Sequence, residues 1–271
     1  MHDLVDIGAN LTHDSFDPDR DAVMQRAADV GVNRIIVTGT SVEATEAALR
    51  LAEEYPNRVF ATAGVHPHHA TEVDTAAIAR LKELATHEAV VAVGECGLDF
   101  FRNYSPRDVQ LQAFETQLRI AADSGKPVFL HQRDAHDPFL ALLNEHIADI
   151  NGGVAHCFTG GREELEAYLE LGLYVGITGW ICDERRGDGL REAVTSLPLE
   201  RVLIETDSPY LLPRDLKEKP SGRRNEPSVL PHILETLARH MDQDEQVVAA
   251  AATANTERLF GLKRRRAELS P

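Results

Sequence analysis

Short apolar runs alternate with amphipathic stretches along nearly the whole chain. Residues 4–8, 34–39, 59–65, 90–94, 127–130, 153–155, 173–177 and 201–204 are brief and rich in Val, Ile, Leu and Ala. Runs of this length without polar alternation predict strands buried on both faces. Between them, residues 19–31, 41–55, 76–86, 107–124, 137–147, 163–171 and 189–197 carry apolar positions at helical spacing. In 107–124, for example, Leu111, Phe114, Leu118 and Ala121 share one face. Gly31 closes the first of these helices, and Ser41 caps the second, where Glu43 and Glu46 suit its positive end. Two further helices, 230–240 and 245–260, follow the last strand. Eight strands alternating with helices predict an α/β protein, a (β/α)8 TIM barrel. The alternative is an open doubly wound sheet, but no G-x-G-x-x-G follows the first strand. No linker divides residues 1–271, so a single domain is expected, with 263–271 a frayed basic tail. Segment 213–228, rich in Pro, Gly and Arg, is the longest irregular piece, and long irregular loops are often functional.

Composition narrows the picture. The 271 residues suit a barrel, which needs about 250, and 43% hydrophobic residues are enough for a full core. No run is long enough to span a bilayer and the first residues do not read as a signal peptide, so a cytoplasmic protein without a membrane partner is expected. No apolar surface stripe demands a partner chain, which points to a monomer. Cys96, Cys157 and Cys182 form no C-x-x-C pair and read as small buried hydrophobes in a reducing compartment. The net charge of −16 disfavours non-specific adhesion to DNA. It leaves room for a phosphate substrate drawn in by a metal and a few local arginines. A G-x-S-x-G elbow and a P-loop are both absent, so covalent serine chemistry and triphosphate binding have little support.

The candidate chemistry lies at the strand ends. Val90-Val91-Ala92-Val93-Gly94-Glu95 puts a carboxylate where a buried strand opens into a loop. A buried carboxylate needs a cation, donors or water. The pattern then recurs: His66, His68 and His69 after the third strand, Asp99 just beyond Glu95, His131, Arg133, Asp134 and His136 after the fifth, His156 and Phe158 after the sixth, Glu205 and Asp207 after the eighth. A lone His after a strand is more often a hydrogen-bonded cap than a ligand. Five strand ends that converge on one barrel face, each with a metal-binding side chain, form a site. Imidazole with carboxylate suits zinc or a transition metal, and carboxylate alone suits magnesium. Glu95, His131, His156 and Asp207 are the expected ligands, and His66 would face substrate. Glu95 can bridge two metals, and Asp207 can accept a proton from water. Arg133 could grip a phosphate or pair with Asp134. Arg185, Arg186, Arg223 and Arg224 would join it in a basic rim. Phe158, Trp180 and Tyr210 are candidates to stack on bases, with core packing favoured for Trp180.

Several of these segments, in this order, resemble the TatD family of metal-dependent deoxyribonucleases. They are Asp6-Ile7-Gly8-Ala9-Asn10-Leu11-Thr12, Gly64-Val65-His66-Pro67-His68, Gly94-Glu95-Cys96-Gly97-Leu98-Asp99-Phe100, His131-Gln132-Arg133-Asp134-Ala135, His156-Cys157-Phe158-Thr159-Gly160 and Glu205-Thr206-Asp207-Ser208-Pro209-Tyr210-Leu211. The resemblance runs from about Asp6 to Leu262, and Gly179-Trp180-Ile181-Cys182-Asp183-Glu184 and Arg223-Arg224-Asn225-Glu226-Pro227 look like the bacterial branch. It implies a TIM barrel of the metal-dependent hydrolase type, acting with magnesium as a 3′–5′ exonuclease on single-stranded DNA, with RNA a further candidate, in repair of oxidative damage. Zinc or manganese are alternative ions at the His/Glu site. By position, Glu95, His131 and His156 would be ligands, Asp207 a ligand or the catalytic carboxylate with Glu95, and His66, Arg133, Phe158, Tyr210 and Arg223 substrate contacts. Most of the wider family opens with H-x-H, where this chain has Gly8 and Asn10. The resemblance therefore implies a weakened second metal position that favours magnesium. A different reaction class, an acyl-ester or amide hydrolase such as a D-aminoacyl-tRNA deacylase, is the alternative.

Overall fold

In the computed structural model, which describes residues 2–263, each apolar run forms a strand. These are β1 (Leu4–Ala9), β2 (Val32–Val37), β3 (Val59–Ala63), β4 (Val90–Asp99), β5 (Val128–Arg133), β6 (Gly153–Ala155), β7 (Tyr174–Ile177) and β8 (Val202–Ile204). All pair in parallel, in sequence order. Parallel neighbours need a crossover, and helices supply it. They are α1 (Arg20–Asp29), α2 (Val42–Glu54), α3 (Thr75–Ala85), α4 (Arg107–Ser124), α5 (His136–His146), α6 (Arg162–Glu170), α7 (Asp188–Ala193), α8 (Leu230–His240) and α9 (Glu245–Phe260). The result is the (β/α)8 barrel that the periodicity predicts. The expected basic tail lies, beyond Lys263, outside the described residues. Among those residues no helix is long and apolar enough to cross a membrane.

Two elements depart from expectation. The helix expected over 189–197 stops at Ala193 and tightens into a 3-10 turn, Val194–Ser196. Pro198 disfavours helical geometry at the residue before it, and β-branched Val194 and Thr195 weaken the last turn. The fourth strand, expected to end at Gly94, runs on to Asp99 and is buried throughout.

The strand pleat sorts the core into two layers. Val5, Ile7, Ile36, Val91, Phe129, Val154 and Leu203 fill the barrel, joined by Phe260 and Leu262 from the end of the chain. Leu4, Val32, Ile35, Val93 and Val128 belong to the larger layer beneath the helices. Fully burying a side chain such as Phe129 is worth roughly 1.5–3 kcal/mol. This ring lies 4.6 Å from that of His156, so the core forms the floor of the functional face.

The barrel closes through the chain that follows β8. Asp207 N donates to Gly8 O (2.8 Å), Asn10 N donates to Ser208 O (2.7 Å), and Ala9 bridges Ser208. The Asp6 carboxyl seals this seam from within β1. Its Oδ1 accepts from Thr206 N (2.9 Å) and Gly8 N (3.3 Å), and its Oδ2 accepts from the Thr206 hydroxyl (2.5 Å). Burial pushes this carboxyl up to about 8, against those hydrogen bonds, so it is neutral at pH 7.

The folded state thus holds a proton that the unfolded chain releases near pH 4. Stability should fall as pH rises from there to about 8, by up to about 1.4 kcal/mol per pH unit, and then level off. Asp6→Asn, an isostere that cannot ionise, should lose this slope. Urea titrations of both proteins between pH 5 and 9, with chelator present, would measure it. Parallel pH profiles would show that Asp6 is ionised in the fold.

Candidate active site

The site is built on an irregularity in β4. Gly94 (φ +138°) and Gly97 (φ +145°) press against β5, and a Cβ on either would lie 2.1 Å from Phe129 O or 1.9 Å from His131 O. Only glycine permits that approach. The register shifts between Gly94 and Cys96, so Glu95 is an extra residue without a cross-strand partner. Such a bulge re-aims a side chain. The sequence reading put Glu95 at the mouth of a loop, whereas it lies inside the strand, with its amide donating to Gly39 O (2.8 Å).

Three imidazoles converge on one oxygen of that side chain. Glu95 Oε1 lies 2.8 Å from His156 Nε2, 2.9 Å from His131 Nδ1 and 3.3 Å from His66 Nε2. The ligand atoms of His66, Glu95 and His131 are all within 4.8 Å of one another. Burial alone would raise the Glu95 carboxyl, but the charge of His156 and hydrogen bonds from His131 and His156 outweigh it and hold it well below the usual range. Burial would lower His156, yet Glu95 and Glu205 carry it well above its ordinary value. His131 is likewise raised by Asp99 and Glu95 in spite of burial. Burial wins at His66 and pushes it down to about 4, so that ring is neutral.

The outer contacts set which nitrogen each ring turns to Glu95. His156 Nδ1 donates to Glu205 Oε2 (3.1 Å) and its Nε2 to Glu95 Oε1 (2.8 Å), so the ring sits between two carboxylates with both nitrogens protonated. His131 Nε2 points towards Asp99 Oδ2 at 3.5 Å, without forming a hydrogen bond, and presents Nδ1 inwards. His66 is the reverse. Its Nδ1 accepts from His68 N (3.0 Å), so in the neutral ring Nε2 carries the proton. His131 and His156 thus turn Nδ1 and Nε2 onto Glu95 Oε1, where a cation would displace their protons, and His66 donates a hydrogen bond. A carboxylate flanked by two imidazole nitrogens that can give up their protons is a donor set that fits a divalent ion.

Glu205 is the functional residue to which the sequence reading gave no role. Besides holding His156, its Oε1 accepts from Cys157 N (2.5 Å). It occupies a slot between β1 and β7. A Cβ on Gly8 would lie 2.2 Å from Oε2, and one on Gly176 2.3 Å from Oε1. The missing side chain at position 8 is thus filled space. Asn10 likewise turns its amide nitrogen to Asp207 Oδ1 (3.2 Å) and Ser208 O (3.3 Å), as a donor to both. Burial pushes Asp207 up to about 7, opposed by His156 and reinforced by Glu95 and Glu205.

These groups lie in an open cavity of about 740 Å³. His66, Arg133, Trp180, Asp207 and Tyr210 line it, as does Arg102, which sequence reasoning missed. Arg133 lies 4.3 Å over the Phe101 ring and, among the described residues, makes no ion pair with Asp134. Three exposed aromatics gather at the rim: Tyr104 (67% exposed) and Tyr210 (52%) line the cavity, and Phe101 (53%) lies beside it under Arg133 and Arg102. The signal for Phe101, Arg102 and Tyr104 was their place just after Asp99.

Three expectations are corrected. Phe158 is buried in the main core, edge-on to Tyr168 at 5.9 Å, and reaches only a side cavity of about 240 Å³, so it offers no free face to a base. Arg223 is exposed on a 3-10 turn, Ser221–Arg223, and does not line the cavity. Its neighbours are committed elsewhere: Arg224 to Asp19 (2.7 Å), and Arg185 and Arg186 to Asp183. Arg102 and Arg133 are the cavity's basic side.

A family profile described as TatD related DNase matches residues 5–261. A relative from Citrobacter rodentium named 3′–5′ ssDNA/RNA exonuclease TatD is 53% identical over 259 residues, covering 96% of this chain and 98% of its own. The protein of that name from Escherichia coli K12 is 51% identical, with 96% and 99% covered. A solved TatD homolog from E. coli K12 superposes with a TM-score of 0.89 at 30% identity, with 96% of this chain and 98% of the other covered.

Because Glu205 orients His156, Glu205→Gln should weaken divalent-metal binding about 10- to 100-fold with the fold intact. Titration calorimetry with Mn²⁺ would measure this. An unchanged affinity would mean that Glu205 merely fills its slot.

Proposed function

Since the chain belongs to the family of TatD-related DNases, we infer that it is a hydrolytic nuclease, a 3′–5′ exonuclease of single-stranded DNA and RNA. What carries the reading from the geometry is the Glu95 carboxylate among three imidazoles at the floor of an open cavity. In this proposal Glu95, His131, His156 and Asp207 hold the divalent ion, magnesium in the cell. A bound divalent ion lowers the pKa of water and stabilises charge on phosphoryl oxygens. The residues do the rest. Asp207 also accepts the proton of the attacking water. The neutral His66 ring donates its Nε2 proton to a substrate oxygen. Arg102 and Arg133 hold flanking phosphates, and Phe101, Tyr104 and Tyr210 stack on successive bases. The proposal extends to trimming damaged 3′ ends during repair of oxidative damage.

A time course on 3′-labelled and 5′-labelled single strands, after chelation and with single metals added back, tests it. The 3′ label should go first, with magnesium, and Glu95→Ala should be inactive. Asp207→Asn should lower kcat about 10²- to 10⁴-fold with KM little changed. Earlier loss of the 5′ label, or activity without metal, would overturn the reading. Turnover only of ester or amide substrates would return the deacylase alternative.

The aromatic rim makes a separate prediction. Phe101→Ala and Tyr104→Ala should each raise KM for oligonucleotides about 5- to 100-fold, while a mononucleotide ester is hydrolysed as before. If both substrates suffer equally, the rings support the fold and not the strand.

A further inference from the structure

A second group of metal-binding side chains lies away from the cavity. Cys182 ends the 3-10 turn Gly179–Cys182 after β7, Asp215 lies in the long segment after β8, and His232 lies in the first turn of α8. Their ligand atoms are all within 4.8 Å of one another, and His232 Nε2 is 2.7 Å from Asp215 Oδ1. None of the three lines the substrate cavity.

Two observations make this more than a chance cluster. The segments are clamped side by side by the residues next to the candidate ligands. Arg214, just before Asp215, reaches Glu184 (3.0 Å) and Asp183 (3.6 Å), which directly follow Cys182. The three groups also differ in exposure: the thiol is buried, the imidazole half-buried and the carboxylate exposed. A cation held there would have protein ligands on its inner side and solvent on its outer side. Three protein ligands with water completing a tetrahedron is a common zinc arrangement. The donors set the selectivity. Magnesium demands near-octahedral oxygen, whereas thiolate with imidazole favours zinc and its neighbours.

We propose that Cys182, Asp215 and His232 form a second, open-sided site for a borderline divalent ion such as zinc, chemically distinct from the catalytic centre. Binding replaces the thiol proton, which leaves to water, with a sulfur–metal bond. The ion ties the turn after β7 to the segment after β8. The first carries Trp180 and the second Tyr210, both of which line the cavity. The site thus braces two walls of the substrate cavity from behind.

Cobalt(II) is the probe, because a thiolate ligand gives a near-ultraviolet charge-transfer band that oxygen and nitrogen ligands do not. The full chain is stripped with chelator, given excess magnesium and titrated with Co²⁺. Cys157, which does line the catalytic cavity, is the competing thiol. A band that survives Cys157→Ala, disappears in Cys182→Ala and is displaced by zinc is the expected result. His232→Gln, at a half-buried position, should weaken Co²⁺ binding at this site at least about tenfold, and zinc should raise the Tm of the parent protein by more than that of Cys182→Ala. The proposal is overturned by no band at saturating cobalt, by a band lost in Cys157→Ala, or by unchanged affinity in His232→Gln. None of these outcomes bears on the nuclease reading.

Discussion

A buried carboxylate attracts positive charge, and much of this molecule is arranged around that demand at Glu95. At about 4 Å, two unit charges interact by roughly 4 kcal/mol at the effective dielectric of a protein near its surface. Glu95 has three imidazole nitrogens within 3.3 Å of one oxygen. Each comes from a different strand end, so the electrostatics require β3, β5 and β6 to finish at one level around β4. The barrel supplies that level, and the bulge supplies the inward aim. The carboxylate in turn raises His131 and His156, and their second nitrogens are held by Asp99 and Glu205. The site is a chain of alternating charges that no single strand could assemble.

The seam between β8 and β1 obeys a different constraint, that of volume. Glu205 fits only because Gly8 and Gly176 leave room for it. Where the wider family resemblance leads one to look for an imidazole, this chain has a carboxylate reaching across from the other side of the barrel. Asn10 uses its amide to hold Asp207. The donors lost from β1 therefore reappear as support for donors on β6 and β8. The same seam keeps Asp6 protonated, since its burial, with Glu205 nearby, outweighs the three hydrogen bonds its oxygens accept from the chain.

The barrel was legible because its signal is periodic and local: apolar runs of strand length, amphipathic stretches between them. The ligand candidates were legible because barrel strands place their ends together, so position after a strand carries meaning. What could not be read required pairs of distant residues. Val90 to Gly94 looks complete as a strand, and the two glycines that seem to end it are what allow it to continue against β5. The slot for Glu205 depends on β1 and β7 at once. Arg185, Arg186, Arg223 and Arg224 looked like a basic rim because a sequence shows charges without their partners. Asp183 and Asp19 claim three of the four, and the cavity's own arginines are Arg102 and Arg133. Phe158 failed for the same reason: apolar rings look alike until the core claims one of them.

The net charge of −16 then becomes a question of range. At physiological salt the field of an exposed charge is largely screened beyond about 8 Å. Carboxylates on the outer helices therefore act on the approach of a nucleic acid, slowing encounter, far more than on a strand already in the cavity. Once inside, the strand meets two arginines, a cluster of imidazoles and exposed rings whose stacking does not depend on salt. The charge that seemed to argue against nucleic acid therefore bears on the approach of the substrate and leaves the contacts inside the cavity to Arg102, Arg133 and the exposed rings.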